Sequence, residues 1–298
     1  MPRRLWRAYV RPTHVAEAIE ALRTSPPPIA VIAGGSDLVL DLQQGRHPAV
    51  HTLVDVTEIE EMRHLEVRER ALFVGASVPL ARIAAAPLVR AHALALAEAV
   101  GQMASPQIRN VATLGGNVAH ALPAADGAIA LLALDGRAEV ASPQGRRVVP
   151  LTDLYLGPGK SALRPDELLV GFYLPLTAPG EASAFRRVMR PKGVALPILN
   201  VAVWLQRQGG RIAAARIAMG PFGPVPRRAT AAEHALQGRP LDEEALHRAA
   251  EALLAEARFR TSPHRATAAY RRRLAPVLLR AALQTAWQRA ASREETSP

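Results

Sequence analysis

A pair of adjacent glycines, Gly34 and Gly35, is the first feature of the sequence whose residue types could do chemistry. The pair lies in the segment IAVIAGGSDL, after an apolar run and before the short polar side chains of Ser36 and Asp37. Glycine lacks a Cβ atom, so its backbone can approach a ligand closely, and consecutive N–H groups in a turn form an anion-binding concavity. The segment therefore fits a phosphate site, with an ordinary turn as the alternative.

A second glycine pair, Gly115 and Gly116, lies between Thr113 and Asn117 in the segment SPQIRNVATLGGNVAHALPAAD. Hydroxyl and amide side chains supply hydrogen-bond donors that phosphate oxygens accept. A turn also explains this pair when it is taken alone, but two such loops in one domain could clamp a diphosphate from both sides. Asp126, nine residues after Asn117, could then accept hydrogen bonds from ribose hydroxyls.

Both segments lie where short helices and strands alternate, which predicts two small α/β units. The pattern in residues 1–57 predicts a helix, a strand, the glycine turn, a short helix and a second strand. Residues 58–178 begin with a hairpin signal around Glu69 and Arg70, followed by helices interrupted at Pro87. A turn-rich stretch that is poor in helix holds the second glycine pair, and a helix, a hairpin and a closing strand follow.

The last part of the chain, residues 179–298, has a different pattern. It begins with apolar alternation typical of antiparallel strands, and Gly209 and Gly210 supply the turn between two of them. The predicted helices span residues 229–237, 242–258 and 264–291, the last with a break at Pro276. The fold class is therefore α+β.

Composition narrows the classes of protein to consider. The chain of 298 residues is 49% hydrophobic and 21% charged, which is typical of a globular protein. It has no apolar run near 18 residues and no signal-peptide core, so we expect a cytoplasmic protein without a membrane span. It has no cysteine, which excludes disulfides, thiol catalysis and iron–sulfur ligation by this chain. Neither a metal-ligand spacing nor a Ser/His/Asp set is evident, so we predict no catalytic and no metal-binding residue.

The formal charge of +11 is unevenly distributed. Residues 1–180 carry 17 basic and 17 acidic side chains, whereas residues 181–298 carry 20 basic and 9 acidic ones. One interpretation is an arginine-rich but ordinary solvated surface. The other is a basic face for an acidic protein partner, for which Arg271, Arg272 and Arg273 are the residues to test. Aromatic residues are only 4% and do not alternate with the basic ones, so nucleic acid is disfavoured.

One glycine-rich segment imitates nucleotide motifs without their context. GPGKSA, residues 157–162, matches a dinucleotide fingerprint and contains Gly-Lys-Ser as a P-loop does. Pro165 follows at once, however, where the dinucleotide motif requires a helix, and the first glycine of a P-loop would fall at position 154, which is Leu. We interpret the segment as a loop.

The motifs AGGSDL, SPQIRNVATLGGN and PAAD, in that order, closely resemble the FAD-binding medium subunit of molybdenum hydroxylases. This family includes carbon monoxide dehydrogenase and xanthine dehydrogenase. The segments FVGASVPLARIA, LRPDELLVGFYLP and AYRRRLAPVLLRAAL extend the resemblance over almost the whole chain. It implies a two-subdomain FAD-binding fold of the vanillyl-alcohol-oxidase (PCMH) type, residues 1–57 and 58–178. A C-terminal domain of antiparallel sheet packed with helices, residues 179–298, would follow.

The resemblance also implies which residues contact FAD. Residues 33–38 would hold the pyrophosphate from one side and residues 113–117 from the other, with Asp126 on ribose or ribityl hydroxyls. Ser105 and Ile108 would lie near the flavin, and Leu169 near the adenine through its backbone. The full set is Ile32, Ala33, Gly34, Gly35, Ser36, Asp37, Leu38, Ser105, Ile108, Thr113, Gly115, Gly116, Asn117, Asp126, Leu169 and Lys192.

The segment MRPKGVALPILNV departs from the family pattern. Family members often have Arg-x-x-x-Asp near the isoalloxazine ring, whereas here Val194 takes the place of the acid. Pro191 and Pro197 flank it, and Lys192 remains as a flavin contact. A positive charge near the pyrimidine end of a flavin stabilises the reduced anion, so the change bears on the flavin potential and on the electron acceptor.

By resemblance, the chain is an electron relay in an oxidoreductase. Electrons from a molybdenum centre on a large subunit would pass through two [2Fe–2S] clusters on a small subunit to FAD on this chain. The acceptor would be NAD⁺, oxygen or a quinone, and the assembly a dimer of heterotrimers. Two alternatives are a stand-alone FAD-dependent oxidase or dehydrogenase acting on a small molecule, and a non-catalytic scaffold that has lost flavin.

Overall fold

The computed structural model describes residues 5–190 and 196–295. Its N-terminal part is a three-stranded parallel sheet in the order β1-β3-β2, with two helices. The elements are β1 (Ala8–Val10), α1 (Val15–Thr24), β2 (Ile29–Ile32), α2 (Leu38–Gln43) and β3 (Thr52–Asp55). The first glycine pair therefore lies in the connection between the end of β2 and the start of α2, as the sequence predicts.

The middle part is built around a five-stranded antiparallel sheet in the order β4-β5-β10-β6-β7. Its helices are α3 (Leu80–Ala85), α4 (Pro87–His92), α5 (Leu94–Gly101), α6 (Pro106–Arg109), α7 (Leu114–Ala119) and α8 (Asp126–Ala133). Its strands are β4 (Leu65–Arg68), β5 (Ala71–Gly75), β6 (Arg137–Ser142), β7 (Gly145–Pro150), β8 (Tyr155–Gly157), β9 (Lys160–Ser161) and β10 (Leu168–Pro175). The predicted hairpin is confirmed, with Glu69 at φ 46° and Arg70 at φ 67° in the turn between β4 and β5.

The stretch around the second glycine pair contains more helix than we predicted. Its turn residues act as helix caps: the Ser105 hydroxyl accepts a hydrogen bond from the Ile108 amide at the start of α6. The Thr113 hydroxyl does the same for the Gly116 amide at the start of α7. Short polar residues favour helix N-caps as strongly as turns, which is why composition alone was misleading here.

The GPGKSA segment is a loop, as predicted. It joins the paired strands β8 and β9, and Gly159 has a φ of 68° in the turn. The strands are followed by irregular chain and then by β10, so neither nucleotide motif is formed.

The C-terminal part is a four-stranded antiparallel sheet in the order β11-β12-β13-β14, covered by helices. Its elements are β11 (Glu181–Met189), β12 (Pro197–Gln208), β13 (Arg211–Gly220), β14 (Arg227–Arg228), α9 (Thr230–Leu236), α10 (Glu243–Glu256) and α11 (Ala268–Glu295). Alternate residues of β12 enter different cores: Leu199, Val201 and Val203 pack with the C-terminal helices. Ala202 and Trp204 point the other way, into the core of the middle part. This sheet therefore joins two hydrophobic cores.

The predicted break at Pro276 is wrong. α11 runs without interruption for 28 residues with Pro276 inside it. A proline removes one backbone hydrogen bond, but the neighbouring Ala275, Leu278 and Leu279 are buried in the C-terminal core. Tertiary packing thus holds the helix together across the proline. Within residues 5–190 and 196–295, no helix is long and apolar enough to cross a membrane.

Candidate functional site

The turn between β2 and α2 exposes a run of backbone donors. The amides of residues 34–37 donate no hydrogen bond to any residue that the structure describes. Gly35 has a φ of 67°, in the left-handed region that favours glycine, and this bends the chain within the run. Four successive N–H groups without an internal partner form the kind of nest that binds an anion.

Gly34 brings the two glycine segments together. A Cβ built on Gly34 would lie 2.0 Å from the carbonyl oxygen of Val111 and 2.8 Å from the Cα of Ala112. Only glycine permits this approach of one backbone to another. Val111 and Ala112 lead directly into Thr113 and α7, so the tertiary structure places the second segment against the first. The predicted meeting of two loops therefore occurs, through direct backbone contact.

The second glycine pair does not present free amides, which corrects the expectation that both pairs would. The Gly115 amide donates to the Ala76 carbonyl at 2.9 Å, and the Gly116 amide donates to the Thr113 hydroxyl at 3.1 Å. A Cβ on Gly115 would lie 2.7 Å from the Cβ of Ala76, so this glycine is needed for close packing. The donors left to a ligand are on side chains. Thr113 keeps its hydroxyl proton, and Asn117 Nδ2 has no partner among the described residues.

His120 links the two segments and was not anticipated from the sequence. It is the residue after α7, and its Nδ1 lies 3.8 Å from the Asp37 carboxylate, which precedes α2. The contact with Asp37 raises the pKa of His120, and the contact with His120 lowers the pKa of Asp37. The only available signal was that a histidine three residues after Asn117 lies about one helical turn further along.

Asp126 is buried at the junction of the middle and C-terminal parts. One carboxylate oxygen accepts a hydrogen bond from Arg187 at 2.7 Å, and the other accepts one from Asn200 Nδ2 at 2.5 Å. Asp126 and Asn200 are 3% and 0% exposed. Burial raises the pKa of Asp126 to about 6, although the Arg187 charge and the Asn200 hydrogen bond oppose the shift. No sequence signal pairs Asp126 with Arg187, which is 61 residues away.

The remaining predicted contacts are distributed around these segments. Ser105 caps α6, and Ile108 in the same helix is 39% exposed, beside Val111, which is 49% exposed. β2 ends at Ile32 and α2 begins at Leu38. These two residues, with Ala33 next to Ile32, therefore flank the amides of residues 34–37.

Leu169 lies farther from the glycine segments. Its side chain is in the core of the middle part, and its backbone pairs with Val140 of β6. The next residue, Val170, accepts a hydrogen bond from Ala76, whose carbonyl in turn accepts from Gly115. Lys192, Pro191 and Val194 lie outside the described residues, whereas Pro197 begins β12.

The predicted basic docking face is wrong for one of its three residues. Arg271 is 1% exposed and therefore unavailable to a partner. Arg272 donates to the carbonyl of Leu254 at 3.1 Å, and Arg273 is exposed. A charge-reversal of all three would disturb the interior as well as the surface.

Two family models together match nearly the whole chain. A family model described as the FAD binding domain in molybdopterin dehydrogenase matches residues 4–177. A second, described as the CO dehydrogenase flavoprotein C-terminal domain, matches residues 183–286. The chain is 32% identical to the xanthine dehydrogenase FAD-binding subunit of Escherichia coli O157:H7, over 86% of this chain and 87% of that protein. It is 33% identical to the nicotine 6-hydroxylase medium subunit of Paenarthrobacter nicotinovorans, over 91% and 94%.

The structure is similar to solved proteins of the same kind. It superimposes on a chain of carbon monoxide dehydrogenase from Hydrogenophaga pseudoflava with a TM-score of 0.91. The two are 30% identical, and the match covers 97% of this chain and 99% of the other.

Proposed function

Because the chain belongs to the family of FAD-binding subunits of molybdopterin dehydrogenases, we propose that it is the electron-transfer subunit of such an enzyme. It is a flavoprotein component of an oxidoreductase. In the proposed reaction, electrons reach its FAD from [2Fe–2S] clusters on a partner subunit and leave to NAD⁺, oxygen or a quinone. A molybdopterin-binding large subunit and an iron–sulfur small subunit are the proposed partners.

The single observation that carries the proposal is the run of amides at residues 34–37, none of which donates to a residue that the structure describes. A diphosphate is the anion that an FAD-binding chain must hold, and backbone N–H groups hold it without a charged side chain. The Thr113 hydroxyl and Asn117 Nδ2 supply further donors from the segment packed against Gly34. The residues present therefore fit the cofactor.

The chain's own residues would bind and orient FAD, and FAD would supply the redox chemistry. The amides of residues 34–37 would fix the diphosphate, and the exposed Ile108 and Val111 offer an apolar surface to a ring system. Residues 1–298 contain no cysteine that could ligate an iron–sulfur cluster, so the clusters of the proposed relay would lie on a partner subunit. We also propose the three-unit division into residues 1–57, 58–178 and 179–298.

The cofactor assignment is tested by flavin retention in two variants of one residue. The purified chain is supplied with FAD, desalted, and its visible absorption measured. We expect the wild type and Thr113→Ser to stay yellow, because both keep the hydroxyl. Thr113→Val keeps the shape but loses the hydroxyl and should retain less flavin. Losing the N-cap also costs roughly 1 kcal/mol of stability. Thermal unfolding of the wild type and both variants therefore shows whether flavin is lost beyond what this instability explains. A colourless wild type would contradict the assignment.

The relay is tested by the composition of the native complex. The complex is isolated through an affinity tag on this chain, and its metals and flavin are quantified. Two [2Fe–2S] clusters and one molybdenum centre predict about four irons and one molybdenum per flavin. Flavin without iron, together with turnover of a small molecule by the isolated chain, would contradict the relay and identify a stand-alone enzyme.

A further inference from the structure

The amides of residues 34–37 offer hydrogen-bond donors to a diphosphate, and Asp37 places a negative charge directly beside them. The Asp37 carboxylate does not cap α2, because it accepts no hydrogen bond from a backbone amide of that helix. It does accept one from the Ser36 hydroxyl, at 3.4 Å on Oδ2. A carboxylate beside an anion site repels the anion. The charge of Asp37 must therefore be offset if the site is to bind a diphosphate tightly.

His120 lies beside that carboxylate. Its Nδ1 is 3.8 Å from Oδ2 of Asp37, the same oxygen that accepts from Ser36. The backbone fixes its position at the end of α7, where the His120 amide donates to the Gly116 carbonyl at 3.1 Å. The imidazole thus connects the helix that follows Thr113 to the residue that contributes the last amide of the run.

The second ring nitrogen of His120, Nε2, has no partner among the residues that the structure describes. The side chain is 34% exposed, so a ligand can reach it. Protonated imidazole donates from both of its nitrogens. One ring can therefore contact a carboxylate through Nδ1 and a phosphate oxygen through Nε2 at the same time.

The charges around His120 favour its protonated form. Its contact with Asp37 raises the pKa of His120, and the charge of Asp41 adds to this, although partial burial opposes the shift. Arg46 does not cancel the effect, because it is paired with Asp41 at 2.7 Å. α7 itself carries no charged side chain.

The loop between β8 and β9 is the other neighbour of this position. Gly159 N donates to the carbonyl of Ala121, the residue after His120, at 3.0 Å. The ionisable residue of that loop is Lys160, which forms no ion pair with a described residue. The acidic groups that act on His120 are therefore the two aspartates of the segment around α2.

His92 shows that a partly buried histidine of this protein does not have to be protonated. Its Nδ1 accepts a hydrogen bond from the Thr177 amide at 3.2 Å, so that nitrogen carries no proton. Burial and the charge of Arg293 lower the pKa of His92. Of the two histidines, His120 is the one that faces a carboxylate and keeps an open nitrogen beside the predicted cofactor site.

We propose that protonated His120 is a further binding residue for the FAD diphosphate, neutralising Asp37 through Nδ1 and donating its Nε2–H to a phosphate oxygen. The inference rests on the proposed function and adds a residue to its cofactor site. FAD binding then takes up a proton, because the bound anion favours the charged form of the imidazole. Since the complex holds the proton more tightly than the apoprotein, affinity for FAD is higher at low pH and falls as pH rises through the pKa of His120.

The test measures FAD affinity and proton uptake from about pH 7 to about pH 9, where Asp126, with its pKa of about 6, is already ionised. Fluorescence titration of the full-length apoprotein gives the dissociation constant. Calorimetry in two buffers of different ionisation enthalpy gives the number of protons bound. We expect the wild-type affinity to fall by about threefold to tenfold over this range, as one charge-assisted hydrogen bond is lost. We expect uptake of part of a proton on binding.

Three variants assign the proton. His120→Gln keeps a neutral donor but cannot be protonated, so it should bind more weakly than the wild type at neutral pH, converge with it as pH rises, and take up no proton. The matched control His247→Gln removes an exposed histidine of α10 that also faces a carboxylate, Glu251 at 3.3 Å, and should behave like the wild type. Asp37→Asn removes the carboxylate but leaves the phosphate contact, so uptake should persist with its titration moved to lower pH.

The other outcomes overturn the proposal in distinguishable ways. Proton uptake that survives in His120→Gln would place the proton on another group. Loss of uptake in both His120→Gln and Asp37→Asn would assign it to the contact between these two side chains and exclude the phosphate contact. A wild type that binds FAD with the same affinity at every pH and without proton uptake would refute the role of His120 and leave the proposed function intact. A wild type that binds no FAD at any pH would refute the proposed function, and this inference with it.

Discussion

The substitution Gly34→Ala tests how the two glycine segments are joined. The added Cβ would lie 2.0 Å from the Val111 carbonyl oxygen and 2.6 Å from its carbon. Carbon and oxygen atoms that are not bonded keep at least about 3 Å apart, so the segments must separate by about 1 Å. Forcing a methyl group into packed structure costs about 1–3 kcal/mol of stability.

The same displacement should weaken FAD binding beyond the loss of stability. A hydrogen bond stretched by about 1 Å from its usual length no longer counts as one. Losing one hydrogen bond to a charged phosphate costs about 1.5–3 kcal/mol, which corresponds to at least about a tenfold rise in the dissociation constant. The assays are thermal unfolding of the apoprotein and fluorescence titration with FAD.

A matched control for Gly34→Ala is Gly101→Ala. Gly101 ends α5, and a Cβ there would meet the Ala84 Cβ at 3.6 Å, an ordinary contact. Alanine is the better helix former, so this variant should equal or slightly exceed the wild type in stability. Our account of the backbone contact is refuted if Gly34→Ala unfolds at the wild-type temperature and binds FAD with unchanged affinity.

Three further predictions concern the buried and bridging charges. Since burial raises the pKa of Asp126 from 3.8 to about 6, the wild type should lose about 3 kcal/mol of stability as pH rises from about 4 to 6; urea unfolding of Asp126→Asn should lack this loss. Arg187→Met leaves the Asp126 carboxylate buried and unpaired, so we expect a cost of about 3–5 kcal/mol at neutral pH that shrinks below about pH 5, measured by the same method. His120→Gln removes the partner of Asp37. Because the pKa of His120 is raised, its stabilising contact is complete below about pH 6.5 and is lost as pH rises, so the difference in unfolding temperature from the wild type should narrow above neutral pH.

The sequence was sufficient for features that depend on neighbours along the chain. The strand, glycine turn and helix around Gly34 follow from apolar periodicity and from the conformational freedom of glycine. The hairpin at Glu69 and Arg70 follows from two alternating runs with a two-residue gap. The order of the glycine motifs was specific enough to indicate the family, which the comparisons then confirmed.

Local patterns misled at two places, once because tertiary packing overrides them and once because the same residue types also cap helices. Proline predicts a break in a helix, but burial on both sides of Pro276 keeps α11 continuous. The second glycine pair has the composition of a turn, yet Thr113 caps a helix there. In both cases the local preference is worth about 1–3 kcal/mol, which packing and capping can exceed.

Only the tertiary structure decided which distant residues meet, because periodicity and composition carry no record of partners far along the chain. Val111 explains why position 34 must be glycine, and it lies in the other segment. Arg187 and Asn200 reach Asp126 from the C-terminal sheet. Arg271 belongs by composition to a charged surface run, but the fold buries it, and a buried charge has consequences that an exposed one lacks.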